Sequence, residues 1–402
     1  MGKIGIISLN FQVYTVNYGC TLQSYALCRK VREMGYDAET VDYRSCTRDW
    51  MNPKFPFWNK RYPLFSSRGR VRNFMYLING FCGWRKWRNL IKFFSKYGCV
   101  SDKKYATATF ENSDYQSYIV GSDTIWDIRQ MQGFEPAFFG RFNCMKNVIA
   151  YAPSFGEAVY DDQESKCLQS YAKKFVALSV REPVNMEAFG SLRDKVSVVL
   201  DPTMLYSGQD YAKIAQHPGG RRPYLLYYVV YGANPSVTRR VDEYAISKGL
   251  DVIELSIFKQ NAHPRFWRFV LRVAHTLKLV HKNSNWLDGG GLIGHRMMYG
   301  AGTEEFLGLV QNAEMVVTNS FHGSVFAILF GRKFYNFARS DASAKIKWIC
   351  SMLGLEGRTL KPNEALSDEP IDYENKVFPR LAKLRESSER FLKNALERCS
   401  KA

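Results

Sequence analysis

The chain has 402 residues, of which 46% are hydrophobic; this is enough for two domains with full cores and too apolar for a disordered chain. Its formal net charge of +18 suits an anionic substrate, polymer or surface. Nine cysteines, an odd number scattered without a C-x-x-C pair, fit neither a zinc site nor a disulfide framework, so a reducing cytoplasm is expected and a metal site is not. No uninterrupted apolar run reaches the roughly 18 to 20 residues that cross a bilayer.

The opening IGIISL, from Ile4, reads as a buried strand, and its apolar run is too short for the core of a signal peptide. A loop and helix follow in NYGCTLQSYALCRKVREMGY from Asn17, and then a strand in DAETVDYR from Asp37, which makes a parallel βαβ unit. The loop after the first strand lacks G-x-G-x-x-G, so a dinucleotide is not expected, and Gly19 alone says little.

Between Trp50 and Ser101 there are eleven Lys or Arg and no Asp or Glu, interleaved with aromatics such as Trp58, Trp84, Trp87, Phe93 and Phe94. This basic aromatic insertion has two readings. It is a docking face for anionic lipid or polymer, or a solvated face whose acidic partners lie elsewhere in the fold. It matches no nucleic-acid motif, so nucleic acid is not an expected partner.

YQSYIVG, from Tyr115, is expected as the third strand, running into Ser122 and Asp123. In parallel sheets ligands collect beyond the carboxyl ends of strands. Gly121, Ser122 and Asp123 are therefore in a promising place for a ligand, although Asp123 reads equally as the cap of the next helix. NVIAYAPSFG, FVALSVREP and VSVVLDPTML add three strand-to-turn units. Arg181 ends the second of these, where a guanidinium either grips an anion or pairs with Glu182. Asp201, before Pro202, reads as a turn residue.

The first domain is expected over 1–206, a hinge over 207–222, a second domain over 223–375 and a bracing C-terminal helix over 376–402. Within the second domain, 264–282 reads as a basic amphipathic helix and NWLDGGGLIGHRMMYGAG, from Asn285, as a glycine-rich loop without the Lys and Ser or Thr of a P-loop. Met315 to Asn336 then gives a strand, a polar turn and an apolar helix. His322 sits at the helix start, where Ser320, His322 and the backbone beside Gly323 are placed to hold a phosphate or carboxylate. The other reading has His322 bonded to a neighbouring loop. Arg339 and Lys345 follow the next strand and would add positive charge.

Six blocks in order resemble the polysaccharide pyruvyltransferases: NYGCTLQSYAL from Asn17, YIVGSDTIWD from Tyr118, IAYAPSFG from Ile149, LSVREP from Leu178, VLDPTMLY from Val199 and EEFLGLVQNAEMVVTNSFHG from Glu304. The resemblance implies an α/β protein of two facing Rossmann-like domains of the glycosyltransferase B type. It also implies transfer of pyruvate from phosphoenolpyruvate to a sugar as a ketal, with no separate cofactor. The family pattern after Asp123 runs Gln, any residue, Trp, Asn, whereas this chain has Thr124, Ile125, Trp126 and Asp127.

Such a donor carries a carboxylate and a phosphate, and Arg181 with His322 form the best cationic pair for it. His322 is then the candidate general acid, Asp123 the base, and Ser122, Trp126, Ser320, Gly323, Arg339 and Lys345 candidate binding residues. The acceptor would be a saccharide of a cell-surface or exopolysaccharide precursor, lipid-linked or free, used in the cytoplasm or at the inner face of the membrane. Two rivals stand beside this reading: a glycosyltransferase using a nucleotide sugar, since architecture does not fix function, and a non-catalytic protein binding anionic polymer or membrane.

Overall fold

The computed structural model describes residues 2–9, 17–44, 86, 88–217, 219, 222–230, 233–256, 292–298, 300–337 and 344–401. The basic helix expected at 264–282, most of the basic aromatic window, most of the glycine-rich loop, and Arg339 lie outside these residues.

Strand β1 (Ile4–Ile7) leads to helix α1 (Tyr18–Glu33), capped by the Asn17 side chain, and to β2 (Ala38–Arg44). A helix over residues 88–97, α2, precedes β3 (Val100–Ala106), β4 (Ser117–Val120) and β5 (Val148–Ala150). Helix α3 (Asp162–Ala172), β6 (Phe175–Val180) and β7 (Val196–Val198) complete the first sheet. Its strands are all parallel in the order β3-β2-β1-β4-β5-β6-β7. β1 and β4 are buried throughout, as central strands covered on both faces must be.

β3 corrects the expected strand count, because YQSYIVG holds the fourth strand and not the third. Its sequence VSDKKYA exposes Asp102, Lys103 and Lys104. Charged residues suit an edge strand, where they discourage pairing with other chains, and they hide the alternation that marks a strand in sequence.

The second sheet repeats the plan. It holds β8 (Tyr224–Val229), helix α4 (Pro235–Lys248), β9 (Asp251–Ser256), β10 (Arg296–Met297), helix α5 (Thr303–Gln311) and β11 (Met315–Thr318). Helix α6 (Phe321–Leu329), β12 (Lys333–Phe337), helix α7 (Ala344–Leu353) and β13 (Thr359–Leu360) follow. The order β10-β9-β8-β11-β12-β13 is again all parallel, with the chain reversing direction between β8 and β11 as it does between β1 and β4. Both halves are thus Rossmann-like, and each has a crevice at the carboxyl ends of its central strands. Near β10, the His295 ring lies 2.7 Å from both Asp242 and Glu254, tying residues 292–298 to α4 and β9.

The two domains share one hydrophobic cluster. Tyr18, at the start of α1, stacks on Phe306 of α5 with ring centroids 4.5 Å apart and donates its hydroxyl to the Ala301 carbonyl at 2.8 Å. Within the expected hinge, Gln216 N donates to Glu304 O at 2.8 Å and the Tyr211 ring meets Phe326 edge-on at 4.9 Å. That stretch is therefore pinned to the second domain.

The last helix, α8 (Phe378–Lys401), returns to the first domain. Ser388 Oγ accepts from Leu200 N at 2.9 Å, Arg385 donates to the Met204 and Tyr206 carbonyls, and Lys30 pairs with Glu389 at 2.9 Å. Leu381, Leu392, Ala395 and Leu396 line its buried stripe. Leu392→Ala should lower unfolding free energy in urea by about 2–5 kcal/mol, while Lys393→Ala on the exposed face should change it by no more than about 0.5 kcal/mol. Equal small effects would show that the helix is not docked.

Candidate functional site

β4 delivers Asp123 through a tight turn. Gly121 has φ of 140°, and a Cβ there would lie 1.9 Å from the Tyr151 carbonyl oxygen, so only glycine fits. Asp123 itself is left-handed with φ of 70°. Its Oδ1 accepts from Thr124 N and its Oδ2 accepts from the Cys20 thiol, each at 2.8 Å. The following helical turn is capped by Asp127, which accepts from Gln130 N at 3.0 Å, so Asp123 is not a helix cap.

β6 delivers Arg181 and Glu182, and the chain leaving β7 delivers Asp201; all three are buried. Arg181 Nε donates to Glu182 at 3.0 Å and Nη1 donates to Asp201 Oδ2 at 3.0 Å, with the guanidinium 4.4 Å above the Phe321 ring centre. Of the two sequence readings of Arg181, the pairing with Glu182 is present. The arginine is salt-bridged, yet its buried Nη2 has no hydrogen-bond partner among the described residues.

The second domain contributes the start of α6. Ser320 Oγ caps it by accepting from Gly323 N at 3.3 Å. His322 is buried, with Nε2 3.4 Å from Asp201 Oδ2, a long contact that leaves this nitrogen without a close hydrogen-bond partner among the described residues. The backbone of α1 presses on the other side of the ring, since a Cβ on Gly19 would lie 1.9 Å from His322 Nδ1. The histidine therefore sits between two helix starts, each the positive end of a helix dipole. The amides of Phe321 and His322 belong to the first turn, which leaves them without intrahelical acceptors.

Charge ties these groups together. Burial pushes the Asp123 carboxyl up, but His322 and Arg181 outweigh it, with Cys20 and Lys345 adding, and hold it below its usual range. Burial likewise opposes ionisation of Asp201, and His322 and Arg181 overcome it, so its carboxyl is also held low. Arg181 is raised despite its burial by Glu182, Asp201 and Asp123. Burial and Arg181 lower the ammonium of Lys345, on α7, against the pull of Glu182 and Asp123.

Asp123, Arg181, His322 and Lys345 are thus brought together across the domain boundary. Other expected residues have structural roles in this fold. Trp126 is fully buried among Phe139, Phe155 and Phe189 and donates Nε1 to the Phe138 carbonyl, leaving no face for a sugar. Ser122 is fully buried with its hydroxyl on the Ala152 carbonyl and its amide on Gln23, so it supports the turn. Ser320 serves as the α6 cap. Gly323 is small for packing, because a Cβ would lie 2.5 Å from Thr318 Oγ1 and 2.8 Å from the Tyr228 ring. Asp201, read as a turn residue, does cap the turn at Thr203 but also holds Arg181 and faces His322. Cys20 and Gly19 were missed, and their signal lay in the block NYGCTLQSYAL, whose start reaches the site only through tertiary packing.

In the described part of the basic window, Arg88 and Lys92 are exposed, and Lys96 pairs with Glu304 at 3.1 Å. Lys86 is buried 4.6 Å from the Tyr18 ring centre, which removes it from any outward docking face. Phe93 and Phe94 are buried as well. Among the described residues no helix is long and apolar enough to cross a membrane.

Residues 17–341 match the model of the family described as Polysaccharide pyruvyl transferase. Compared with curated proteins, the chain has no match. Among solved structures it is similar to the S. aureus MnaA-UDP co-structure at 12% identity and TM-score 0.44, covering 98% of this chain and 91% of that one. It is also similar to Arabidopsis thaliana UGT89C1 complexed with UDP-L-rhamnose, at 11% identity and TM-score 0.46, covering 99% of both chains. A third is the Methanocaldococcus jannaschii UDP-GlcNAc 2-epimerase in complex with UDP-GlcNAc and UDP, at 12% identity and TM-score 0.42, covering 98% and 92%. The family match runs over most of the chain and takes in every residue of the Asp123, Arg181, Asp201 and His322 cluster: the chain belongs to the polysaccharide pyruvyl transferase family and is a transferase.

Proposed function

We propose that the protein moves pyruvate from phosphoenolpyruvate onto two hydroxyls of one sugar in a cell-surface or exopolysaccharide precursor, closing a cyclic ketal. The family match supports pyruvyl transfer to polysaccharide. The donor is inferred from one observation: among the described residues the buried Arg181 Nη2 has no hydrogen-bond partner, and the buried His322 Nε2 beside it has only a long contact with Asp201. An unpaired buried donor costs about 1–3 kcal/mol, more when charged, so a ligand acceptor is the natural occupant. Phosphoenolpyruvate brings two anionic groups: Arg181 Nη2 faces one, and His322 with the paired helix starts faces the other.

In this reading His322 supplies the proton that reaches the methylene carbon of the donor. An acceptor hydroxyl attacks the central carbon and passes its proton to Asp123. Phosphate then leaves against Arg181 and Lys345, and the second hydroxyl closes the ketal. The two hydroxyl protons end on the new methyl group and on the released phosphate. Asp123 is held low chiefly by His322 and Arg181 against its own burial. An anionic donor that neutralises those cations would raise its proton affinity, so the base would be strengthened only when the donor is bound. In this reading the reaction runs in the cytoplasm, on a lipid-linked acceptor presented at the inner face of the membrane.

Phosphoenolpyruvate should raise the melting temperature of the wild type, since a ligand that binds only the folded state stabilises it. Arg181→Ala would strand Asp201 and Glu182 as buried charges at a cost of about 3–5 kcal/mol, so the informative variants are Arg181→Lys, which keeps the charge and loses the fork, and His322→Gln. Both should fold and show a reduced shift. Equal shifts in all three proteins would remove these residues from donor binding.

Asp123→Asn should retain the donor-induced shift while turnover falls by about 10² to 10⁴, the usual contribution of a general base. Turnover within about ten-fold of wild type would take Asp123 out of that role.

A further inference from the structure

Beyond the Arg181 cluster lies a separate cavity of about 520 Å³ between the two domains, with Pro183 and Val184 of the first on one wall and α7 and Thr359 of the second on the other. Pro183 directly follows Arg181 and Glu182. Trp348, half-buried, lies three residues beyond Lys345, which places both on one side of α7 about one turn apart. Lys347, Ser351 and Glu356 stand at its edge. The Thr359 hydroxyl is buried in its wall without a hydrogen-bond partner among the described residues, and its neighbour is the Cys350 thiol, a weak one.

This chemistry does not suit a second small anion, which would call for converging cations; among the described residues the cavity lining has Lys347 as its one cation, offset by Glu356. It suits a neutral ring with an apolar face and a rim of hydroxyls. An indole covers the face, and Thr359, Ser351 and Glu356 can meet the rim. Cavities at domain boundaries with few placed polar groups are also where ligand sites concentrate. Trp348, half-buried and part of the cavity lining, is thus an aromatic within reach of a ligand where the fully buried Trp126 is not.

We propose that this cavity is the acceptor subsite, seating a neutral sugar ring of the polysaccharide precursor against Trp348 with the reacting sugar directed past Lys345 toward Asp123. This inference rests on the pyruvyltransferase reading above, and it assigns a second patch of the same cleft to the acceptor alone.

The test uses the full chain, saturating phosphoenolpyruvate, and short neutral oligosaccharides built on glucose, galactose, mannose or N-acetylglucosamine. Phosphate release gives acceptor KM and kcat, and saturation-transfer NMR reads oligosaccharide contact directly. Trp348→Ala should raise acceptor KM by about five- to ten-fold with little change in kcat, and weaken the saturation-transfer signal at a fixed oligosaccharide concentration, while the donor-induced melting shift stays at the wild-type value. Trp348→Phe should recover most of the affinity. Thr359→Val keeps the shape and removes only the hydroxyl, so it should raise acceptor KM without lowering the melting temperature. Unchanged acceptor KM in both Trp348→Ala and Thr359→Val, with normal turnover, overturns the subsite and leaves the pyruvyltransferase reading standing. Wild type that releases no phosphate with any of the oligosaccharides, and shows no contact with them, overturns the subsite; absence of any donor-induced shift as well counts against the underlying reading.

Discussion

The shared contact of Arg181 and His322 with one oxygen of Asp201 is the constraint on which the site depends. The arginine and the aspartate come from the first domain and the histidine from the second, and all three are buried. Removing such charges from water costs several kcal/mol for each ion, and mutual attraction offsets that only when the geometry is good. Glu182 and Thr203 supply the remaining hydrogen bonds to Arg181 and Asp201, so the cluster is held in position before any ligand arrives. Among the described residues, Arg181 Nη2 has no hydrogen-bond partner and His322 Nε2 has only its long contact with Asp201. On the proposed reading, Arg181 and His322, with the carboxylates held from behind, are the groups that meet the donor's anionic ends.

The fold explains how residues so far apart in sequence meet. Two all-parallel sheets of the same strand order each place a crevice beyond their central strands. The stacking of Tyr18 on Phe306 brings the start of α1 against the start of α6, with Gly19 pressed on the histidine ring. A side chain at position 19 would collide with the His322 ring and displace it, so this glycine is what lets the histidine sit where it does. The returning helix α8 fixes the loop after β7 through Leu200, Met204 and Tyr206, and that loop carries Asp201. Distant packing thereby holds the aspartate.

Much of this was legible in the sequence where local pattern and tertiary role agree. The strand, cap and apolar helix around His322 announced themselves through Ser320 and the run from Val325, and the strand ends that carry Asp123 and Arg181 followed from strand-to-turn rhythm. The misses share a physical cause, which is that burial is not a local property. Trp126 follows a promising turn but points into the core, Lys86 folds inward onto Tyr18, and Asp201 looks like any Asp before Pro until Arg181 is placed beside it. β3 escaped because an edge strand with three consecutive charged residues has no apolar alternation to read. Trp348 offered no signal either, since its cavity is made by segments of both domains.

The account's central claim is that this cleft spends phosphoenolpyruvate on a sugar. The direct measurement follows phosphate release and product mass together when the purified protein is incubated with phosphoenolpyruvate and an oligosaccharide acceptor. The account predicts phosphate release that requires both substrates and matches, one for one, a sugar product heavier by a pyruvate ketal. Turnover of a nucleotide sugar with phosphoenolpyruvate left unused would contradict it.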